Sequence, residues 1–230
     1  LCALPAGTRA LVFWPINMAS GLFITLEGVE GSGKTTQAAI LGDALRKNGR
    51  PVTVTHEPGG TRAGETIRAI FLDPAVSLDV ASELLLVLAD RAQHVREKLR
   101  PALAAGEIVI SDRYSDSTTA YQGYGRGFDL KLLGELNRLA TDNVTPDLTI
   151  VLDLQVETGL ERTRARAKGT GRGSDRFEGE RAEFHRKVRD GFLAIAKAEP
   201  SRVVVIDADR PVAAVTADIR RAVDEMLARR

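Results

Sequence analysis

Residues 22–37 read Leu-Phe-Ile-Thr-Leu-Glu-Gly-Val-Glu-Gly-Ser-Gly-Lys-Thr-Thr-Gln, an apolar run rich in strand formers that ends in a glycine-rich turn and passes straight into a helical pattern. The run 22–27 predicts a strand, and Ala38, Leu41 and Leu45 fall on one face of the helix that follows. Between them Gly28, Val29, Glu30, Gly31, Ser32, Gly33, Lys34 and Thr35 complete a G-x-x-x-x-G-K-[ST] motif. In that context glycines let backbone N–H groups turn inward around phosphate oxygens, and the helix start adds its positive dipole end. Lys34 is then placed to reach β- and γ-phosphates and the Thr35 hydroxyl to ligate Mg2+, which makes the stretch a site for a nucleotide.

Working outward, further strands are expected at 52–56, 107–111, 148–153 and 202–206. Helices are expected near 34–48, 61–72, 80–100, 115–122, 130–142, 155–167, 180–198 and 211–228. Several strands are apolar on both alternating faces, as when helices cover both sides of a parallel sheet. The expectation is an α/β fold: a doubly wound, five-stranded parallel sheet flanked by helices, of the P-loop NTPase type. Residues 168–179, rich in Gly and Arg, read as a mobile loop, part of an Arg-rich lid at about 162–179.

The 230 residues suit one domain, and 43% hydrophobic with 27% charged residues is ordinary globular composition. A formal charge of +1 gives no global field for nucleic acid or an anionic membrane, so neither is expected as a partner and anion binding must be local. The mean hydropathy is −0.11 and no apolar run is long enough to span a bilayer. Cys2 is the single cysteine, which rules out an intrachain disulfide and suits a reducing compartment. The segment 1–17 reads as a start-site or vector-derived extension outside the fold, with residues 18–230 forming the single domain. Pro5, Arg9 and Pro15 interrupt it too often for a signal peptide.

A phosphate loop alone does not define an acceptor. Asp112-Arg113-Tyr114 stands at the carboxyl edge of the third expected strand, where open α/β sheets bind ligands. An acid there can organise Mg2+ and a planar guanidinium can clamp a phosphate. Glu57-Pro58-Gly59-Gly60-Thr61 ends the second strand in the same way. The chain has no N-K-x-D to read guanine, which counts against a nucleotide-dependent switch. His56, His94 and His185 show no metal spacing and no Ser or Cys partner, and no catalytic role is assigned to them.

Taken together, GVEGSGKTT, EPGGT, ADRAQHV (89–95), DRYSDSTTAYQGYGRG (112–127), PDLTIVLDL (146–154) and DRFE (175–178) resemble bacterial thymidylate kinases in order and spacing. The likeness runs over about residues 21–228. It implies a cytoplasmic homodimer that moves the ATP γ-phosphoryl to dTMP with Mg2+ as cofactor, in dTTP biosynthesis. By matching position, Lys34 and Thr35 hold ATP and metal, Asp112 helps to place the metal, and Glu30 sits near the acceptor's sugar and phosphate. Glu57 belongs to the acceptor side, with Arg91 near the base and Arg113 on the monophosphate. Thr118, Tyr121 and Gln122 contact base and deoxyribose, with Tyr121 filling the space of a ribose 2′-OH. The phosphate loop carries no Arg, so the resemblance hands charge neutralisation to lid arginines, here Arg164, Arg166 and Arg176. One departure is Val87, four residues before Arg91, where the family often has an aromatic; Leu84, Leu85 and Leu88 read as core. A kinase for another nucleoside monophosphate is the nearest alternative.

Overall fold

All six residues of β1 (Leu22–Glu27) are buried, because the strand runs through the middle of a parallel sheet with helices on both faces. The computed structural model describes residues 21–170 and 176–229. The sheet contains β2 (Val52–His56), β3 (Ile108–Asp112), β4 (Leu148–Asp153) and β5 (Val203–Asp207) in the order β2-β3-β1-β4-β5, with every pair parallel. Leu26 and His56 are both in register with Asp112, so the carboxyl ends of β1, β2 and β3 are level. The phosphate loop, the EPGGT turn and the DRY segment therefore leave one sheet edge side by side.

The connecting helices are α1 (Lys34–Lys47), α2 (Arg62–Leu72), α3 (Val80–His94), α4 (Arg100–Ala104), α5 (Ser115–Thr118), α6 (Leu130–Thr141), α7 (Val156–Thr170), α8 (Ala182–Ala198) and α9 (Val212–Ala228). The helix expected at 80–100 is α3 and α4 joined by a wide π-turn over Val95–Leu99. The one expected at 115–122 is α5 running into a π-helix over Thr119–Gly125. Expected and observed strands agree to within one residue, and Asp112 proves to be the last residue of β3.

Two local expectations need correction. The loop expected from 168 begins later, since α7 continues to Thr170 through Arg164, Ala165, Arg166, Ala167 and Lys168, all strong helix formers. Leu85 is not core: it is 62% exposed, because the inward stripe of α3 is Leu84, Val87, Leu88 and Arg91, and Leu85 lies off that face. The expectation for segment 1–17 falls outside the described residues, as does the loop tip at 171–175.

The phosphate loop is seated against the first turns of α7. Gly31, at φ +74°, and Gly159 meet so closely that a Cβ on Gly159 would lie 2.4 Å from the Glu30 carbonyl oxygen. The helix that ends in the basic segment thus starts from the phosphate loop itself. Gly159→Ala should overpack this contact and cost about 1–3 kcal/mol, read by urea denaturation. An unchanged midpoint would mean that α7 is not seated there.

Candidate active site

Gly33 caps α1 in the left-handed region, φ 93°, and offers no side-chain cap, so first-turn N–H groups stay available for an anion. Lys34 opens that helix and is only 7% exposed. Its Nζ donates to the carbonyls of Gly28 (3.1 Å) and Val29 (2.9 Å) and lies 3.3 Å from Ser32 Oγ. Burial, with the Arg113 charge, brings the ammonium down to about 8, against the opposing pull of Asp112, Glu30 and Glu27. Its neighbour Thr35 donates through Oγ1 to Asp112 Oδ2 at 2.5 Å, joining the phosphate loop to the end of β3.

Arg113 is a non-glycine residue at φ 74°, a strained conformation that aims its side chain back over the loop. The guanidinium donates to Glu30 Oε1 (3.0 Å), Ser117 Oγ (3.1 Å) and Gly28 O (3.3 Å), and it stands 4.9 Å from the centre of the Tyr121 ring. Glu30 also accepts from the Tyr121 hydroxyl at 2.5 Å and from His185 at 3.1 Å. Burial works against its charge, but His185, Arg113, Lys34 and Tyr121 outweigh it and hold the carboxyl well below the usual range. Beneath them Glu27 accepts from the backbone N–H of Tyr114 (2.7 Å) and the Ser117 hydroxyl (2.6 Å), which fixes the backbone on either side of the DRY turn.

On the EPGGT side the Glu57–Pro58 bond is cis. Arg91 is fully buried. It donates to Glu57 Oε2 (2.9 Å), Thr118 Oγ1 (2.7 Å), Asn137 Oδ1 (2.8 Å) and the Tyr114 carbonyl (2.9 Å). A guanidinium has five N–H donors, so these contacts leave one for a ligand. Glu57 is held from the other side by His94 at 2.8 Å, whose second ring nitrogen meets Thr55 Oγ1 at 2.7 Å. Gln122 donates to Glu83 at 2.8 Å.

A cleft of about 1020 Å3 opens over these groups. Of the sequence-expected residues, Glu30, Gly31, Lys34, Thr35, Glu57, Arg91, Asp112, Arg113, Thr118, Tyr121, Gln122 and Arg166 line it. Gly28, Val29, Ser32 and Gly33 form the loop beneath. Arg166 bonds Glu178 at 3.2 Å. Arg164 is exposed on α7 and outside the lining. Arg176 is also outside it, clamped to Glu83 Oε2 (2.7 Å) and the Phe71 carbonyl (3.0 Å). Sequence reasoning missed Arg68, Phe71 and Phe177, all of which line the cleft. The signal for two of them was legible: Gly64, Arg68 and Phe71 share the inward face of α2 at helical spacing. Val87 does face the cleft.

The Thr35 hydroxyl and Asp112 carboxylate present hard oxygen donors on this cleft. Among the described residues there is no cluster of three or more His, Cys, Asp or Glu side chains. The Thr35 and Asp112 oxygens alone fit the needs of Mg2+, which takes one or two protein oxygens and completes its shell with phosphates and water.

Two buried acids give the site a pH signature. Burial, then Asp116, pushes Glu27 up from 4.5 to about 8; burial, then Glu57, pushes Asp90 up from 3.8 to about 7. Between the unfolded and folded values the native state holds protons that the unfolded chain has released, so stability falls as pH rises through that window. Glu27→Gln should flatten the decline, seen by comparing urea midpoints at about pH 5.5 and about pH 8. An equal decline in the variant would relieve Glu27 of this role.

Comparison with known proteins agrees with this geometry. The thymidylate kinase family model matches residues 26–219. A thymidylate kinase of Solidesulfovibrio magneticus is 56% identical over 190 residues, covering 81% of this chain and 91% of its own. One of Deinococcus radiodurans is 52% identical over 208 residues, covering 90% and 98%. The crystal structure of thymidylate kinase from Ehrlichia chaffeensis superposes with a TM-score of 0.71 at 37% identity, over 89% of this chain and 99% of that one. A P-loop that opens into the same cleft as an arginine- and tyrosine-lined second wall is thus found in a chain that belongs to the thymidylate kinase family.

Proposed function

We propose that the chain transfers the γ-phosphoryl group of ATP to dTMP, giving ADP and dTDP, with Mg2+ held by Thr35, Asp112 and the nucleotide phosphates. The observation that carries this reading is that one cleft takes in both the phosphate loop at Lys34 and Thr35 and the cationic, aromatic wall of Arg113, Arg91 and Tyr121. A donor site and an acceptor site share a wall there, as direct transfer requires. A phosphate monoester is largely dianionic at neutral pH, so its oxygen attacks the γ-phosphorus without a base and the ADP oxygen leaves. Catalysis is then positioning and charge neutralisation. When bound by Thr35 and Asp112, the metal would neutralise negative charge on the nucleotide phosphates. Lys34 gives up its loop carbonyls for phosphate oxygens, and Arg113 orients the acceptor phosphate while Glu30 holds it in place. The Tyr121 ring, buried beside Glu30, would fill the space that a ribose 2′-OH needs, which favours deoxyribose. Rates with dTMP, dUMP, UMP, CMP and AMP test the assignment, and a faster turnover with any of the last four would overturn it.

We further read the enzyme as a cytoplasmic homodimer. Support for association comes from α3 and α6, which pack on each other and leave Leu85, Leu130, Leu132 and Leu139 in solvent, where a second copy would cover them. No helix among the described residues is long and apolar enough to cross a membrane.

Of the three lid arginines, Arg166 lines the cleft, so it is the one favoured to meet the transferring group. Arginine fingers are worth about 10³–10⁵ in rate, and one acting in the transition state lowers kcat far more than it weakens nucleotide binding. Arg166→Ala should lower kcat at least about a hundredfold with dTMP and ATP Kd values changed little. Should the single variants of Arg164, Arg166 and Arg176 and their triple combination all keep kcat within a few-fold, the lid would be a passive cover.

A further inference from the structure

Glu30 takes its third hydrogen bond from a residue that the proposed reaction does not name. His185 lies on α8, is 1% exposed, and has Nδ1 3.1 Å from Glu30 Oε2, the oxygen that neither Tyr121 nor Arg113 uses. Because Glu30 is held ionised it can only accept, so Nδ1 must donate. The other ring nitrogen, Nε2, is buried and has no partner among the described residues. A residue needed only to fill that space would be apolar, since an unpaired buried nitrogen costs stability. The platform beneath it is firm: Tyr121 meets the rings of Phe184 and Phe192, both on α8, at 6.1 and 6.2 Å between centroids. The same helix therefore fixes both Tyr121 and the donor to the far side of Glu30.

We infer that His185 is a positioning residue for the acceptor, holding the Glu30 carboxylate in the one orientation that serves both Arg113 and the sugar–phosphate end of dTMP. This rests on the reading of dTMP as acceptor with Glu30 beside it. His185 touches no reacting atom. With Nδ1 gone, Oε2 loses its partner, the carboxylate is free to turn, and the guanidinium that shares it loses its aim.

The test uses steady-state kinetics on the full chain with His185→Leu, His185→Asn, His185→Gln, Glu30→Gln and the Leu/Gln double variant. A leucine at 185 should raise KM for dTMP about tenfold or more while KM for ATP stays within about twofold, the size expected from one charge-assisted bond. Asparagine carries its amide where Nδ1–H stands and should restore most of the loss; glutamine, reaching instead towards Nε2, should not. Since His185 acts through Glu30, the double variant should be no worse than Glu30→Gln alone. A dTMP KM unchanged in folded His185→Leu, equal behaviour of the Asn and Gln variants, or effects that multiply in the double variant would each overturn the inference. Where His185→Leu fails to fold, the Asn against Gln comparison decides. A parent enzyme inactive on dTMP, or a Glu30→Gln variant with normal dTMP KM, would instead overturn the underlying reading.

Discussion

A phosphate-binding site has to bury its cations before any phosphate arrives, and the surrounding structure is arranged to make that tolerable. An unpaired buried charge costs several kcal/mol, roughly, even after relaxation. Here each cation has a stand-in partner within the protein. Arg113 leans on Glu30, Arg91 on Glu57, and Lys34 on the carbonyls of Gly28 and Val29. The stand-ins differ in kind. Lys34 is held by neutral carbonyls, which it can leave more cheaply than a charged partner. Arg91 is committed to four partners and acts as a brace with one donor to spare. Arg113 lies between these extremes, since its Glu30 partner is itself locked by Tyr121 and His185.

The same constraint explains how much the sequence discloses. Strands, helices and phosphate loop were legible because each is written in contiguous residues: β-branched runs, a 3.6-residue period, and glycines in a fixed motif. The family's motifs also marked residues that the structure brings to the cleft, Glu57, Arg91, Arg113, Thr118, Tyr121 and Gln122. What escaped were pairings between distant segments. Glu30 meets His185 across 155 residues, and Glu27 reaches the Ser117 hydroxyl across 90. No local pattern marks either pair. Leu85 failed for another reason: in Leu84-Leu85-Leu86-Val87-Leu88 every residue is apolar, so composition cannot say which of them faces in.

The basic end of α7 is harder to read from the sequence, because what places it is the seat of the helix on the phosphate loop. Gly31 packed on Gly159 ties α7 to the phosphate loop, and seven residues on, at about 1.5 Å per residue, Arg166 stands on the cleft wall. A straight helix between the two acts as a ruler roughly 10 Å long. Arg176 is fixed to Glu83 and Phe71. The arginine that stands at the cleft is thus the one whose place is measured from the phosphate loop.

That anchoring also shapes the cleft wall. Val87 offers the cleft no aromatic face, yet Phe71 and Phe177 both line it with ring centres 5.2 Å apart, and Tyr121 meets Phe177 edge-on at 5.6 Å. The Arg176 guanidinium lies 4.6 Å from the centre of the Phe177 ring and 5.2 Å from that of Phe71. The cleft therefore has its aromatic surface at the seam between α2 and the segment that follows residue 175. Phe177, one residue beyond Arg176, is held by that guanidinium and by the rings of Phe71, Tyr121 and Phe184, so the aromatic wall of the cleft and the placement of the segment after residue 175 draw on the same contacts.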